Sequence, residues 1–284
     1  MTYAIPLSTG HTEPRRPLRH APAPSPQVLL EESLREFLPL PPFQMLLGLC
    51  EDGLPLLFDL GEADTGSLLF IADSPAALGI HLKSALASIC LTNSPADLNL
   101  YVLSSRPLHY SILEREPHTR VNFHLQSPEA AILLEELANL AETRSSGETE
   151  GPVQVLAVDG LADLLSGLDT DHNALFDWLV DSGPPVGIWV LAAQPSSGLN
   201  RLGTTLAAFP TLIAGNVSDS SAIEALALPA SVRGLNSGYQ SLVVSSSEII
   251  QVAIAHSERN DAAILSGETA TWSPSQALLD SFPF

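Results

Sequence analysis

The sequence predicts an α/β domain with a mainly parallel central sheet and helices on both faces of that sheet. Short apolar segments alternate with helical ones through the middle of the chain, and the central apolar segments are continuous runs. Continuous runs are typical of strands that are buried on both faces, as parallel strands are. With 45% hydrophobic residues, the 284-residue chain can bury one large core.

The predicted elements follow one another in a regular order. Residues 1–40 are interpreted as a proline-rich flexible arm with a short helix at Val28–Leu38, and Gln44–Leu60 as a hairpin around residues 51–53. Strands are then predicted at Ser67–Ala72, Leu98–Leu103, Val153–Val158, Ile188–Ala192, Thr211–Ala214, Gln240–Val244 and Ile249–Ala255. Helices are predicted at Leu78–Leu91, Pro128–Glu142, Asn173–Asp181 and Ser220–Leu226. The domain therefore covers residues 41–256, and residues 257–284 form a C-terminal tail with a short helix at Pro274–Leu279.

The charge balance argues against direct binding of DNA by the body of the protein. The chain carries 12 basic and 32 acidic residues, a formal net charge of −20. Arg15, Arg16 and Arg19 lie in the N-terminal arm, which leaves nine basic residues for the remainder. Because Lys and Arg supply most of the affinity for a phosphate backbone, we expect the acidic body to repel duplex DNA.

Cysteine usage and hydropathy predict a cytoplasmic protein. Cys50 and Cys90 form neither a disulfide framework nor a metal-ligand pattern, and each lies in an apolar segment. The first residues contain Pro6 and a polar stretch, so we expect no signal peptide, and no apolar run reaches the roughly 18 residues of a membrane span.

The segment from Leu68 to Ile89 has the outline of a phosphate-binding loop between a strand and a helix. A working loop reads G-x-x-x-x-G-K-[ST], because glycines let backbone N–H groups wrap the phosphates, the lysine reaches the outer phosphates and the hydroxyl holds Mg²⁺. With the strand ending at Ala72, Asp73 and Leu78 stand at the two glycine positions, Gly79 at the lysine position and Ile80 at the hydroxyl position. All four diagnostic residues are replaced, and Ser74 is the one hydroxyl beside Asp73.

The single lysine of the chain, Lys83, does not restore this motif. A longer loop ending at Lys83 would place Leu82 where glycine is needed, and four residues of helix displace the lysine by about 6 Å. We therefore expect Lys83 to be a solvated lysine on the surface of the helix.

The segment VLAVDGLADLL has the outline of a Walker B strand that ends in Asp159. In active enzymes the next residue is an acid that polarises the attacking water, and here it is Gly160. Asp163 is interpreted as a helix-surface carboxylate rather than a replacement base. Gln194 ends the strand GIWVLAAQ, where a sensor side chain would face the γ-phosphate, and a plain polar strand end is the alternative. We assign Asp73, Ser74, Gly79, Ile80, Asp159 and Gln194 to a vestigial nucleotide site with no catalytic residue and no metal.

The order of these segments resembles the FtsK/SpoIIIE branch of the HerA–FtsK P-loop ATPases. PPFQMLLGLCEDGLPLLFDL is similar to the segment that leads into the family's Walker A strand, and NLYVLSSR is similar to its next strand. The Pro117–His118 pair with the helix after it, VGIWVLAAQPSS and AFPTLIAGNVSDSSAIEAL are similar to later family motifs. The likeness is collinear over residues 41–256, whereas the catalytic and charged positions of the family are replaced.

This resemblance implies a RecA-like P-loop fold and a protein that works without hydrolysing ATP. The first hypothesis is a pseudo-ATPase, a scaffold or regulatory subunit that contacts other proteins, either copies of itself or an active FtsK/HerA-type ATPase of a secretion or DNA-handling complex. It needs no cofactor. The second hypothesis is a nucleotide-binding FtsK-like DNA translocase with an unusual site, which would require ATP and Mg²⁺. The third is a binding module whose cleft holds another ligand.

We also expect self-association or docking beside the nucleotide site, at residues 73–79 and 194–203. Few charges and a mean hydropathy of +0.20 indicate an apolar surface, and exposed apolar patches commonly mark protein contacts. A monomer with a Ser/Thr-rich surface is the alternative.

Overall fold

The computed structural model describes residues 28–63, 66–236, 238–245 and 248–256. The strands are β1 (Val28–Leu29), β2 (Gln44–Cys50), β3 (Pro55–Asp59), β4 (Leu68–Ala72), β5 (Leu98–Ser104), β6 (Thr119–His124), β7 (Val153–Asp159), β8 (Ile188–Pro195), β9 (Thr211–Ala214), β10 (Gln240–Val244) and β11 (Ile249–His256). The α-helices are α1 (Leu30–Phe37), α2 (Pro75–Thr92), α3 (Pro128–Ser145), α4 (Leu161–Gly167), α5 (Thr170–Ser182) and α6 (Ser220–Ala225). Short 3₁₀ segments include Pro107–Tyr110, Pro184–Val186 and Ser196–Arg201.

The strands form one sheet in the order β3-β2-β11-β10-β9-β4-β8-β7-β5-β6, with β1 paired to the end of β11. From β9 to β6 every neighbouring pair is parallel, and from β9 to β3 every pair is antiparallel. The fold is therefore the mixed α/β sheet with a mainly parallel centre that the sequence predicts. β8 lies between β4 and β7, so the two strands with Walker-like endings are separated by one strand.

Strand β4 shows how the helices cover both faces of the sheet. Its successive side chains point to opposite faces, as in any strand. Leu69 and Ile71 pack into the cluster that α3, α4 and α5 cover, whereas Leu68 and Phe70 pack into the cluster that α2 covers. All of β4 is buried, which explains why its sequence is a continuous apolar run.

Most of the predicted strands and helices are confirmed, and β9 and β10 have the predicted bounds. The packed structure also includes Val28–Phe37, which the sequence analysis assigned to the arm: β1 pairs with β11, and Leu30 and Leu34 are buried. β6 and α4 were not predicted, because β6 is a half-exposed edge strand with polar residues and α4 is only seven residues long. The predicted tail helix and most of the predicted arm lie outside the described residues.

Helix α2 differs from its prediction in a way that bears on the site. It begins at Pro75 rather than at Leu78. The expectation of a solvated Lys83 was wrong, because α2 is enclosed and Lys83 is only 5% exposed. Within the described chain, α2 is the one helix whose length and hydropathy would allow a membrane crossing, and 72% of that stretch is buried inside the fold.

Candidate functional site: a cleft at the carboxyl ends of the parallel strands

A cleft of about 280 Å³ lies where β5, β7 and β8 end and α2 begins. In α/β sheets, ligands bind outside the carboxyl ends of the strands. The cleft is lined by Pro75, Leu78, Ser105, Arg106, Asp159, Gly160, Asp163, Gln194, Pro195, Ser197 and Arg201. This is the position that the sequence predicts for the nucleotide site.

The turn between β4 and α2 consists of only two residues, Asp73 and Ser74. Ser74 caps α2, because its Oγ accepts a hydrogen bond from the N–H of Ala77 at 3.3 Å. Pro75 then occupies the first helical turn and contributes no N–H. Two donors that a phosphate could have used at this helix N-terminus are thus occupied or missing.

The early start of α2 converts most of the predicted loop into helix. Leu78, Gly79 and Ile80 are buried helical residues, and of these three only Leu78 lines the cleft. Gly79 and Ile80, which the sequence analysis assigned to the nucleotide site, therefore contribute nothing to the cleft wall. A helical turn stands where the phosphate-wrapping loop was expected.

Asp73 connects three segments at the end of β4. Its carboxylate accepts a hydrogen bond from the Ser196 hydroxyl, and two from the N–H and hydroxyl of Ser218 at 2.9 and 2.6 Å. Burial alone would raise the pKa of Asp73, but the hydrogen bonds from Ser196 and Ser218 outweigh burial, and the pKa is lowered. A fixed negative charge thus occupies the turn in which a phosphate would need positive potential.

Asp159, at the end of β7, pairs with an arginine of the chain itself. The Ser104 hydroxyl donates to its Oδ2 at 3.0 Å, and the Arg106 Nη2 lies 3.5 Å from the same oxygen. The same Nη2 lies 3.4 Å from the carbonyl oxygen of Pro75. Since Arg106 follows β5, its guanidinium bridges the end of β7 and the first turn of α2.

Gly160 has a backbone conformation that suits glycine. Its φ is +109°, in the left-handed region, and it precedes the first turn of α4. A Cβ at this position would lie 3.1 Å from Leu125 Cδ1. Any residue with a side chain would therefore be strained at position 160.

The side chain of Gln194 forms hydrogen bonds that connect the end of β8 to α4, the helix that follows β7. Its Oε1 accepts a hydrogen bond from the N–H of Ala162 at 2.7 Å, and its Nε2 donates to the carbonyl of Pro195 at 3.0 Å. Both ends of the side chain are thus engaged in holding α4 and the end of β8. This arrangement favours the polar-strand-end interpretation over a sensor role.

The structure therefore brings together part of the predicted site. Asp159 and Gln194 line the cleft, and Asp73 and Ser74 lie at its α2 border. The sequence analysis missed Arg106, and it missed Arg201, whose Nη1 lies 2.9 Å from Asp163 Oδ1. Arg106 had a signal in the sequence, since it lies just beyond the end of a predicted strand, where ligand-binding residues of α/β sheets commonly lie. Within the described ranges, no three His, Cys, Asp or Glu side chains group in a way that could hold a metal ion.

No protein-family model matches the sequence, and no curated protein matches it significantly. Solved structures do match. The cytoplasmic domain of EssC has a TM-score of 0.62 at 15% identity, over 84% of this chain and 48% of that one. ATPases 2 and 3 of Thermomonospora curvata EccC, in complex with a signal sequence peptide, give 0.61 at 16% identity, over 76% of this chain and 41% of that one. This chain thus spans less than half the length of either structure.

The monomer form of the pCW3 conjugation coupling protein TcpA, solved with ATPγS, also matches. Its TM-score is 0.63 at 14% identity, over 81% of this chain and 72% of that one. EssC, EccC and TcpA are ATPases of the FtsK/HerA type. The position of β8 between β4 and β7 and the cleft at their carboxyl ends agree with these matches. The described part of this chain has the fold of the FtsK/HerA-type P-loop ATPases.

Proposed function

We propose that this chain is a cytoplasmic pseudo-ATPase, a scaffold or regulatory subunit of a secretion-type or DNA-translocating ATPase complex. The observation that carries the proposal is the start of α2 at Pro75, with only two residues between it and the end of β4. A phosphate-binding loop needs several residues of non-helical backbone to wrap its ligand. Asp73 and Ser74 cannot supply them.

Several groups on which phosphoryl transfer depends are absent from their expected positions in this chain. In this reaction catalysis is almost entirely positioning and electrostatic stabilisation by lysine, metal and water-orienting groups. Gly79 stands at the lysine position, Ile80 at the hydroxyl position and Gly160 at the glutamate position, while the Arg106 guanidinium neutralises Asp159. These replacements support a cleft that is retained as structure rather than as a catalytic site.

The kind of complex is inferred from the similar structures. EssC and EccC are secretion ATPases and TcpA is a conjugation coupling protein. These similar structures are consistent with a role for this chain through contacts with other proteins. Docking was predicted at residues 73–79 and 194–203 because an apolar surface was expected there. The larger apolar side chains of these two segments, Leu78, Leu199 and Leu202, are buried. They therefore give no support to docking beside the cleft.

Nucleotide-dependent thermal unfolding tests the proposal. A ligand stabilises the folded state only when its concentration exceeds its dissociation constant. We expect that Mg·ATP at millimolar concentration leaves the melting temperature of the full chain unchanged, with the same chain in EDTA as the control. A rise of several degrees, or ATP hydrolysis that Asp159→Ala abolishes, would instead support a nucleotide-binding translocase.

A further inference from the structure

Two of the large apolar side chains that the described chain exposes lie on adjacent helices. Ile132 of α3 is 54% exposed and Trp178 of α5 is 36% exposed. α3 and α5 pack against each other, and each buries its own core stripe, so both side chains project from the outer side of the pair. We call the outer side of this helix pair the α3–α5 face.

The two apolar side chains are close enough for one partner to cover both. Glu135 Oε1 contacts His172 Nε2 at 3.0 Å, and Arg144, near the end of α3, donates to the carbonyl of Val186, just beyond α5. The helices therefore run in the same direction. With a rise of 1.5 Å per residue, Ile132 and Trp178 are separated by about 13 Å along the helix axes. A standard interface of about 800 Å² per partner spans this distance.

Carboxylates lie near both side chains, three beside Ile132 and one beside Trp178. Positions three and four residues apart are neighbours on a helix surface, so Ile132 lies among Glu129, Glu135 and Glu136, and Trp178 lies beside Asp181. The acidic residues of the two helices are Glu129, Glu135, Glu136, Glu142, Asp171, Asp177 and Asp181. The basic groups of these helices are His172, which Asp169 and Glu135 hold, and Arg144, which donates to backbone carbonyls.

We propose that the α3–α5 face is a docking surface for a basic, amphipathic helical segment of a partner protein. Tryptophan is among the residue types enriched at interface hot spots, and complementary charge across an interface favours the correct partner and its orientation. A second copy of this chain would present the same acidic face, and nucleic acid or an anionic membrane would be repelled. In a basic amphipathic segment, the cationic side chains would pair with the carboxylates of the face, and two apolar side chains would cover Ile132 and Trp178.

The surface shares no residue with the cleft, so this proposal stands independently of the pseudo-ATPase function. The N-terminal arm of the chain, with Arg15, Arg16 and Arg19, is a competing occupant that the test must separate from a partner.

The test uses a fluorescein-labelled synthetic amphipathic helix of lysine and leucine, titrated with the full-length protein at physiological salt. We expect saturable binding, seen as a rise in anisotropy, that Trp178→Ala weakens about tenfold and Ile132→Ala weakens severalfold. Leu108→Ala is the matched control, because Leu108 is a large exposed side chain (79%) on a 3₁₀ segment elsewhere. Circular dichroism of each variant confirms that the fold is retained.

Charge is tested by a pair of double variants. Glu136→Gln with Asp181→Asn should weaken binding severalfold, whereas Glu32→Gln with Glu36→Gln on α1 should leave it unchanged, although both remove two exposed carboxylates. Equal losses in both double variants, an equal loss in Leu108→Ala, or no binding would overturn the proposal. A tenfold gain in affinity after deletion of residues 1–26 would assign the face to the arm and overturn it as well.

Discussion

Asp73 is the residue whose charge most directly opposes a phosphate at the end of β4. It accepts three hydrogen bonds, from the hydroxyl of Ser196 and from the N–H and hydroxyl of Ser218. The same contacts tie β4 to the segments that follow β8 and β9. Asp73 therefore replaces a ligand-binding turn by an internal crosslink between three strand ends.

We expect Asp73→Ala to reduce the free energy of unfolding by about 1–3 kcal/mol, because it leaves the donors of Ser196 and Ser218 without this acceptor. The folded pKa of Asp73 lies below its usual 3.8. The ionised carboxylate of Asp73 thus stabilises the folded state fully above about pH 4, and this stabilisation is lost as the pH falls through the lowered folded pKa. Urea unfolding at neutral and acidic pH measures both effects. An Asp73→Ala variant that is as stable as wild type at neutral pH would contradict this role.

We expect Gly160→Glu, which restores the acidic residue after Asp159, to destabilise the protein by about 1–3 kcal/mol without producing ATP turnover. The reason is the φ of +109° and the contact that a Cβ would make with Leu125. Gly160→Ala is the control, since it introduces the Cβ without the charge. Thermal unfolding and a phosphate-release assay measure the two outcomes, and ATP turnover by Gly160→Glu would show that the site is still competent.

At the scale of elements, α3 and α5 share a buried apolar core and are also linked by an ionic contact on the protein surface. His172, in the first turn of α5, contacts Asp169 at 2.8 Å through Nδ1 and Glu135 of α3 at 3.0 Å through Nε2. Hydrogen bonds to Asp169 and then to Glu135 raise the pKa of His172 above its usual 6.5. The charged imidazolium therefore links the two helices that form the α3–α5 face.

This link predicts a pH dependence with a definite sign. Because the folded pKa of His172 is raised, its stabilisation is fully present below about pH 6.5 and is lost as the pH rises through the folded pKa. We expect the difference in melting temperature between wild type and His172→Gln to shrink as the pH is raised from 6 to alkaline values. The buried ring of His81 has a pKa lowered to about 4, so it makes the stability increase with pH in the acidic range. Because both proteins contain His81, its effect cancels in the difference between their melting temperatures. A constant difference would mean that His172 acts only through packing.

The elements also show what the sequence could and could not predict. Apolar runs predicted β9 and β10 with their bounds, because those strands are read directly from local composition. The start of α2 was misplaced because a loop motif was imposed on Ser74 and Pro75, which are themselves a helix cap and a favourable first-turn residue. The contacts of Arg106 and His172 depend on which strands and helices become neighbours, and no local pattern encodes this.

At the scale of the whole molecule, charge limits the possible partners. The chain carries a net charge of −20, and several arginines of its body are already engaged, Arg106 with Asp159, Arg201 with Asp163 and Arg144 with backbone carbonyls. Such a surface offers few free cations for neutralising phosphates. The contacts of this molecule are therefore expected to be with proteins.

We expect duplex DNA not to be retained by the full chain at physiological salt. Weak binding at low salt should depend on Arg15, Arg16 and Arg19, and should disappear both on deletion of residues 1–26 and as salt screens the arm. Fluorescence anisotropy with a labelled duplex across a salt series measures this. Tight binding that survives the deletion would show that the body itself carries a DNA surface.

The contacts of Arg106 bear on whether this domain would change shape when nucleotide binds. A motor subunit changes shape because its cleft is sometimes filled by a triphosphate and sometimes empty. Here the Arg106 guanidinium joins Asp159 to the first turn of α2, so a side chain of the protein itself links the two elements that border the cleft. On the proposed function, we expect these two elements to keep the same relative placement whether or not nucleotide is present.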